Sequence, residues 1–522
     1  MPEHLRALVV VLAVATTVFA FARRPLLSVA MDPISYARRR NLWFGVTLSA
    51  FLAHDFWIYL IVASTLILLH QRREPHPLSV YVLLIAAVPG FEQPIPGFGI
   101  VNFIFDIGHF RLMNLVILLP LAFRLILTSS TDVARHRPIT DLFFVPFVLY
   151  SFFIVALNEG SVTNLLRQAF YMFVDIWTPY YVFSRLLRTK DQFRDLLATL
   201  VLSFAVIATL AVFEGMRGWL LFESLRGPLG IPPPPLLLYQ FRQEGGALRA
   251  LVTLGSPIAL GYMLAIGLAA YLGLQSKVRP RWAAWCCGLA LFAGLIAAMS
   301  RGPWVGAAAM LVVWATTGPG FGKRLAWLVG GGGVLAVVVL SSPLGPTVID
   351  HLPFVGTVES DNVDYRQRLL EVSMVVFWES PLFGSFQYLS NPLMEQMRQG
   401  QGIIDMVNTY LQIALPYGAF GLVLFVASFM TVLIGIWRAR RRIAGQDLQA
   451  EEMGRSIFAA IVGALVTIGT VSSISLIPTM YWLLLGAGAA YSNYVFSPGF
   501  LPRPQASANT RPAHLRRFSA AR

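Results

Sequence analysis

Apolar runs recur along almost the whole chain, near 5–22, 42–69, 78–90, 111–127, 142–157, 167–186, 195–213, 252–274, 282–298, 303–317, 325–341, 407–437, 455–474 and 478–495. Most are long enough, or nearly so, to cross ~30 Å of hydrocarbon. Inside lipid every backbone N–H and C=O must be satisfied within the helix or within a closed barrel, and these runs are continuous rather than alternating. The pattern predicts an all-α, polytopic helical membrane protein with about 12–15 transmembrane helices. Two places are ambiguous. The run 42–69 is interrupted at His54-Asp55 and reads as one long helix or as a broken pair, which decides the side on which the N-terminus lies. Residues 5–22 end in Ala20-Phe21-Ala22, a signal-peptide pattern, but Arg23 and Arg24 follow directly, so a retained helix is expected.

Composition agrees with the pattern: 522 residues, 56% hydrophobic and 13% charged, with a mean hydropathy of +0.66. The net charge of +14 would fit a nucleic-acid partner if it lay on one face. Instead the basic residues form short clusters between apolar runs: 23–40, 72–73, 135–137, 185–194, 277–281, 323–324, 438–442 and the tail from Arg503. Spaced in this way they are topology signals, so no nucleic-acid partner is expected. If each cluster faces the cytoplasm, the loops 91–110, 158–166, 214–250, the Ser300-Arg301-Gly302 turn and 342–406 fall on the periplasmic side. Residues 1–522 then form a single membrane domain with two long outer loops. The first, 214–250, contains the stiff polyproline segment Ile231 to Pro235. The second and largest, 342–406, has apolar residues at helical spacing over 364–379 (Tyr365, Leu369, Val372, Val376), predicting an amphipathic helix laid against the membrane domain. The Pro-, Ala- and Arg-rich tail 498–522 is expected to be a disordered cytoplasmic tail.

Arg301 stands between two apolar runs, and a cation at a membrane helix end needs an anion, water or carbonyls. It is one of eight arginines (217, 226, 242, 249, 301, 366, 368 and 398) on the face where positive charge is normally depleted. Guanidinium grips phosphate bidentately and stays charged, so a lipid pyrophosphate would suit this face. The plainer alternative is pairing with the loop carboxylates Glu214, Glu223, Glu244, Asp361, Asp364 and Glu371. No Walker A loop, Rossmann fingerprint, HExxH, GxSxG or Asp-x-Asp pair is present, and adjacent Cys286 and Cys287 offer no metal spacing; no metal and no cofactor are expected. Gly330 to Gly333 reads as a close-packing face rather than a phosphate loop. His54, His109 and His351 are the histidines able to reach the outer face, and each reads as structural.

Four stretches occur in order around the large loop: Ala298-Met299-Ser300-Arg301-Gly302; Arg249-Ala250-Leu251-Val252-Thr253 with Ser256-Pro257; Tyr365-Arg366 followed by Pro381-Leu382-Phe383-Gly384; and Asn408-Thr409-Tyr410-Leu411-Gln412 with Gly418 and Gly421. Together they resemble the O-antigen ligase and polymerase (Wzy-like) superfamily of bacterial surface-polysaccharide enzymes, well over 200–440 and by topology alone in the N-terminal half. One position departs. Ligases of this family commonly carry His immediately before the Asn-x-Tyr-Leu run, where this chain has Val407, so that histidine cannot be carried over.

The resemblance implies a metal-independent glycosyltransferase of the bacterial inner membrane. Its donor would be an undecaprenyl-pyrophosphate-linked oligosaccharide and its acceptor a sugar hydroxyl of another lipid-linked repeat unit at the periplasmic face. The lipid bilayer, a chain-length regulator and export machinery would be its partners. Arg301, Arg249 and Arg366 would hold the leaving pyrophosphate, with Ser300, Arg368, Asn408, Tyr410 and Arg217 binding substrate. Asp405, three residues before Asn408, replaces the missing histidine as candidate proton acceptor; pairing with Arg398 is the structural alternative. Val407 favours a polymerase over a ligase that loads glycan onto lipid A core. A polysaccharide or lipid transporter is the alternative from another class, against which the charges cluster at helix ends rather than at broken helices near the midplane.

Overall fold

A computed structural model describes residues 1–99, 101–128, 137–232, 248–318, 360–399, 402–474 and 476–497, with scattered positions between 320 and 341. Most of the polyproline segment, Arg242, His351 and the tail from 498 lie outside the described residues. The chain is an all-α polytopic membrane protein. Its helices are α1 Glu3–Val29, α2 Pro33–Leu52, α3 Phe56–Gln71 and α4 Pro77–Leu84, then α5 His109–Leu127 and α6 Asp141–Asn158. They continue with α7 over 162–186, α8 Lys190–Arg217, α9 Pro257–Leu274, α10 Arg281–Ala297 and α11 Arg301–Thr316. The C-terminal set is α12 Ser360–Glu379, α13 Thr409–Ile443, α14 Leu448–Ile468 and α15 Ile477–Phe496. Among the described residues six of these (α1, α5, α6, α8, α9 and α13) are long and apolar enough to cross a membrane by length and composition; α3 and α10 are apolar but shorter.

The run 42–69 is a broken pair. Asp55 ends the ambiguity: its carboxylate accepts from the N–H groups of Trp57 and Ile58 and starts α3. Three helices therefore precede the basic pair at 72–73. Glu3 accepts a hydrogen bond from the Trp219 indole at 2.9 Å, so the N-terminus lies on the face that carries the 218–232 segment. The two faces are set by α8, whose 28 residues at ~1.5 Å rise reach ~42 Å. One face, here the basic face, gathers the ends of α3, α5 and α7 and the starts of α4 and α8. The other, the loop face, gathers the ends of α8, α10 and α14 and the starts of α9, α11, α13 and α15.

Helices α8 and α9 form the centre: 83% of the most apolar window of each is buried, against 28% for α1 and 22% for α6. All four are apolar, so exposure rather than composition distinguishes the lipid-facing helices from the core. Small residues permit close approach where α11 crosses α14. A Cβ at Gly306 would stand 2.7 Å from the Gly463 carbonyl oxygen, which fixes the helix that starts at Arg301. The glycine run behaves otherwise. At Gly330, Gly331 and Gly333 an added Cβ would meet no atom of the described residues within 4 Å, and most of their sequence neighbours lie outside the described residues.

Two features lie outside the sequence reading. The 91–110 loop contains an antiparallel hairpin, β1 Glu92–Pro96 with β2 Phe103–Gly108, bulged between Pro94 and Pro96. Arg167 of α7 donates to the Phe103 and Ile104 carbonyls at 2.7 and 3.0 Å and so satisfies part of its edge. Near the basic face Arg39 is 1% exposed. It donates to both oxygens of Asp195 at 2.9 and 2.8 Å and to Glu74 at 2.7 Å, a buried ion network joining α2 and α8. Inside the 23–40 cluster, this arginine is therefore part of the core and not only a topology signal.

Candidate active site on the loop face

The Arg249 segment and the Arg301 turn are joined through the backbone. Ala250 N–H donates to the carbonyl of Ala297, the last residue of α10, at 3.2 Å. Flanking this bond, Val252 and Met299 adopt positive φ of 51° and 44°. For a β-branched valine that is an outlier, with a cost on the order of 1–3 kcal/mol that the surroundings must offset. Met299 turns the chain sharply enough for Ser300 to take the N-cap position and Arg301 the first turn of α11. Ser300 is buried and its side chain makes no cap hydrogen bond. A helix start has unsatisfied N–H groups and the positive end of the helix dipole, which favours an anion in the same place as the Arg301 cation.

Glu214, in the last turn of α8, organises this region without pairing to an arginine. Its carboxylate is fully buried and accepts from Leu221 N–H on one oxygen and from Leu251 and Val252 N–H on the other, each at 2.9 Å. Of the other carboxylates considered as arginine partners, Glu223 pairs with Arg226. Arg398 pairs with Glu395 at 2.6 Å.

A second group of elements closes on the same turn. A Cβ at Gly302 would meet Thr470 Oγ1 and Val471 Cγ1, both at 2.7 Å, so the start of α11 rests on the segment after α14. Val471 O accepts from Thr409 Oγ1 at 3.1 Å, and Ser473 N–H donates to Gln412 at 2.8 Å, which brings in the start of α13. Asp405 links both to α12: its Oδ1 accepts from Ser472 Oγ at 2.6 Å and its carbonyl from the Tyr365 hydroxyl at 3.1 Å. Burial, then the nearby Asp405 charge, push the Tyr365 hydroxyl above its ordinary pKa, so it remains a donor. Arg366 and Arg368 follow Tyr365 on α12 and are exposed.

The remaining candidates separate by what they touch. Asn408 caps α13, its side chain accepting from Tyr410 and Leu411 N–H. Tyr410 donates its hydroxyl to Leu465 O at 2.9 Å, within the α13–α14 contact. Arg217 is exposed at the end of α8 and stands away from these links. Thus Arg249, Ser300, Arg301, Tyr365-Arg366 and Asp405 belong to connected elements, whereas Asn408 and Tyr410 make helix-internal and helix-packing bonds. The Pro381-Leu382-Phe383-Gly384 turn also has a mechanical role. It inserts where α13 breaks at Gly418 (φ 64°, ψ −171°): Ser385 N–H donates to Leu415 O and Ala419 N–H to Pro381 O, both at 2.8 Å. A Cβ at Gly418 would lie 2.3 Å from Leu382 O, so glycine is required by space as well as by φ.

Sequence reasoning passed over Thr470, Ser472 and Ser473. Their signal was present as the three hydroxyl residues Thr470, Ser472 and Ser473 at the end of the apolar run 455–474. Among the described residues no group of three or more His, Cys, Asp or Glu is placed to hold a metal ion.

The polytopic helical fold thus joins the Arg249 segment, the Arg301 turn and the Asp405 segment on one face through backbone and side-chain links. Residues 286–426 match the family model described as O-antigen ligase, a span that takes in Arg301, Arg366, Asp405, Asn408, the Pro381–Gly384 turn and Gly418. This match supports a relation between residues 286–426 and the O-antigen ligase/polymerase superfamily. Arg249 and the 469–473 segment lie outside the matched span. No curated protein matches the chain.

Proposed function

We propose that the protein is a polysaccharide polymerase of the inner membrane. It would transfer glycan from an undecaprenyl-pyrophosphate carrier to a sugar hydroxyl of another lipid-linked repeat unit on the periplasmic side. The observation that carries this reading is the backbone link between the Arg249 segment and the Arg301 turn at the start of α11. It supports a two-arginine grip on pyrophosphate in a partly desolvated place. In the reaction the acceptor oxygen attacks the anomeric carbon and the bond from that carbon to the pyrophosphate oxygen breaks. The leaving pyrophosphate takes the electron pair, and stabilising this charge is the chief catalytic need. Arg366, on the exposed face of α12, would join when donor is bound. The hydroxyl proton passes to a carboxylate, for which Asp405 is the candidate. Its bond from Ser472 and the Arg398–Glu395 pair support this over an Asp405–Arg398 ion pair.

Ligation of glycan to lipid A core is the second reading. The O-antigen ligase description of the matched model favours it, while Val407 in place of the ligase histidine favours the polymerase. Deleting the gene separates them: single repeat units on the surface indicate a polymerase, unattached polymer a ligase. Arg301→Ala and Arg249→Ala should each abolish the product while the protein still inserts. Arg301→Lys should rescue poorly, since a point charge does not reproduce a bidentate fork. Wild-type product from well-expressed Arg301→Ala would refute the leaving-group role.

A further inference from the structure

On the basic face, across the bilayer from the Arg301 turn, the ends of α3, α5 and α7 surround a cavity of about 790 Å³. Three arginines line it, each from a different helix end: Arg72 after α3, Arg124 in the last turn of α5, and Arg188 after α7. Among the described residues none of the three lies in an ion pair. The one carboxylate in the lining, Glu74, is engaged from behind. Burial would raise its pKa, but hydrogen bonds from His70 and Arg39 and the Arg39 charge outweigh this and hold it at about 2. With three arginines against this one carboxylate, the lining keeps a positive excess. Beside the arginines the lining is apolar, with Leu68, Leu121 and Leu125. Leu68 is 45% exposed, and its neighbours on α3 and α5, Leu69 and Leu127, are 57% and 82% exposed. The cavity therefore opens sideways along the lipid-facing surface of these helices.

We propose that this cavity binds the phosphodiester headgroup of an anionic membrane lipid. The phosphate would sit among Arg72, Arg124 and Arg188, and the acyl chain would run along Leu68, Leu121 and Leu125. Arginine forks suit a phosphodiester, and basic pockets between membrane helices on this side are places where headgroups lodge. Basic residues in short loops also serve topology, but that role does not require three arginines to converge on one cavity. The apolar wall and lateral opening favour lipid over free phosphate, which would gain nothing from them. The site is independent of the glycosyl-transfer reading, because its occupancy is measured without activity.

The test is native mass spectrometry of the full chain in detergent titrated with phosphatidylglycerol, phosphatidylcholine or sodium phosphate. Phosphatidylglycerol should bind in preference to phosphatidylcholine. In an Arg72→Gln, Arg124→Gln, Arg188→Gln protein its binding should weaken by roughly a hundredfold, about fivefold for each cation removed. An Arg73→Gln, Arg194→Gln protein, changed on the same face outside the cavity, should bind like wild type. The three single variants give the same reading if the triple variant fails to fold. Unchanged phosphatidylglycerol binding in the cavity variants, equal loss in the control, or equal binding of phosphatidylcholine would overturn the proposal. So would binding of inorganic phosphate that blocks the lipid at equal concentration.

Discussion

Removing the Glu214 carboxylate tests whether this one side chain holds the Arg249 segment against α8. Three backbone N–H groups, of Leu221, Leu251 and Val252, donate to its two oxygens at 2.9 Å in a place from which water is excluded. Glu214→Ala leaves all three buried donors unpaired at about 1–3 kcal/mol each, or about 3–9 kcal/mol in all. Glu214→Gln is milder. If its amide oxygen takes the place shared by Leu251 and Val252, two bonds survive and only the Leu221 N–H faces an amide nitrogen, at about 1–3 kcal/mol. The control is Glu395→Ala, which breaks an ion pair whose side chains are both nearly half exposed and so should cost at most about 1 kcal/mol. Thermal unfolding of the purified proteins, read by loss of the monodisperse peak on size exclusion, should rank Glu395→Ala near wild type, Glu214→Gln lower and Glu214→Ala lowest. Product formation should fall in the same order, because Arg249 sits two residues before Leu251. A Glu214→Ala protein as stable as Glu395→Ala would refute the argument.

Asp405→Asn should cut turnover by roughly 10²–10⁴-fold with donor binding nearly unchanged; a loss of stability with near-normal turnover would instead make Asp405 a structural tie between α12 and the 472–473 segment. Purified protein with lipid-linked repeat units should retain activity in excess EDTA and require no nucleotide, and activity restored only by magnesium or manganese would contradict this. In a Cys286→Ser, Cys287→Ser background, an impermeant maleimide applied to whole cells should label a cysteine at Gln387 and spare one at Gln446. Both positions are exposed, so the reverse pattern would place the loop face in the cytoplasm.

The helical class of this protein is legible in its sequence for a simple reason. Lipid offers the backbone no hydrogen-bonding partners, so each long apolar run must satisfy its own N–H and C=O groups, and a helix does this locally. Local chemistry likewise announces Asn408 as a helix start, and the Ser300-Arg301-Gly302 turn as a place where a cation meets a helix end. The hairpin at 92–108 was hidden because Pro94 and Pro96 obscure the strand pattern and its edge is satisfied by Arg167, some 60 residues away in the chain. Whether 42–69 bends at His54-Asp55, and hence where the N-terminus lies, depended on Asp55 capping α3 and on Glu3 meeting Trp219. Tertiary structure alone decided that Glu214 serves backbone amides, that Asp405 meets Ser472 instead of Arg398, and that the Pro381–Gly384 turn enters the break at Gly418. Each includes a contact between residues far apart in sequence, and what selects the partner is burial: a buried donor or acceptor must find whichever complementary group the packing brings to it.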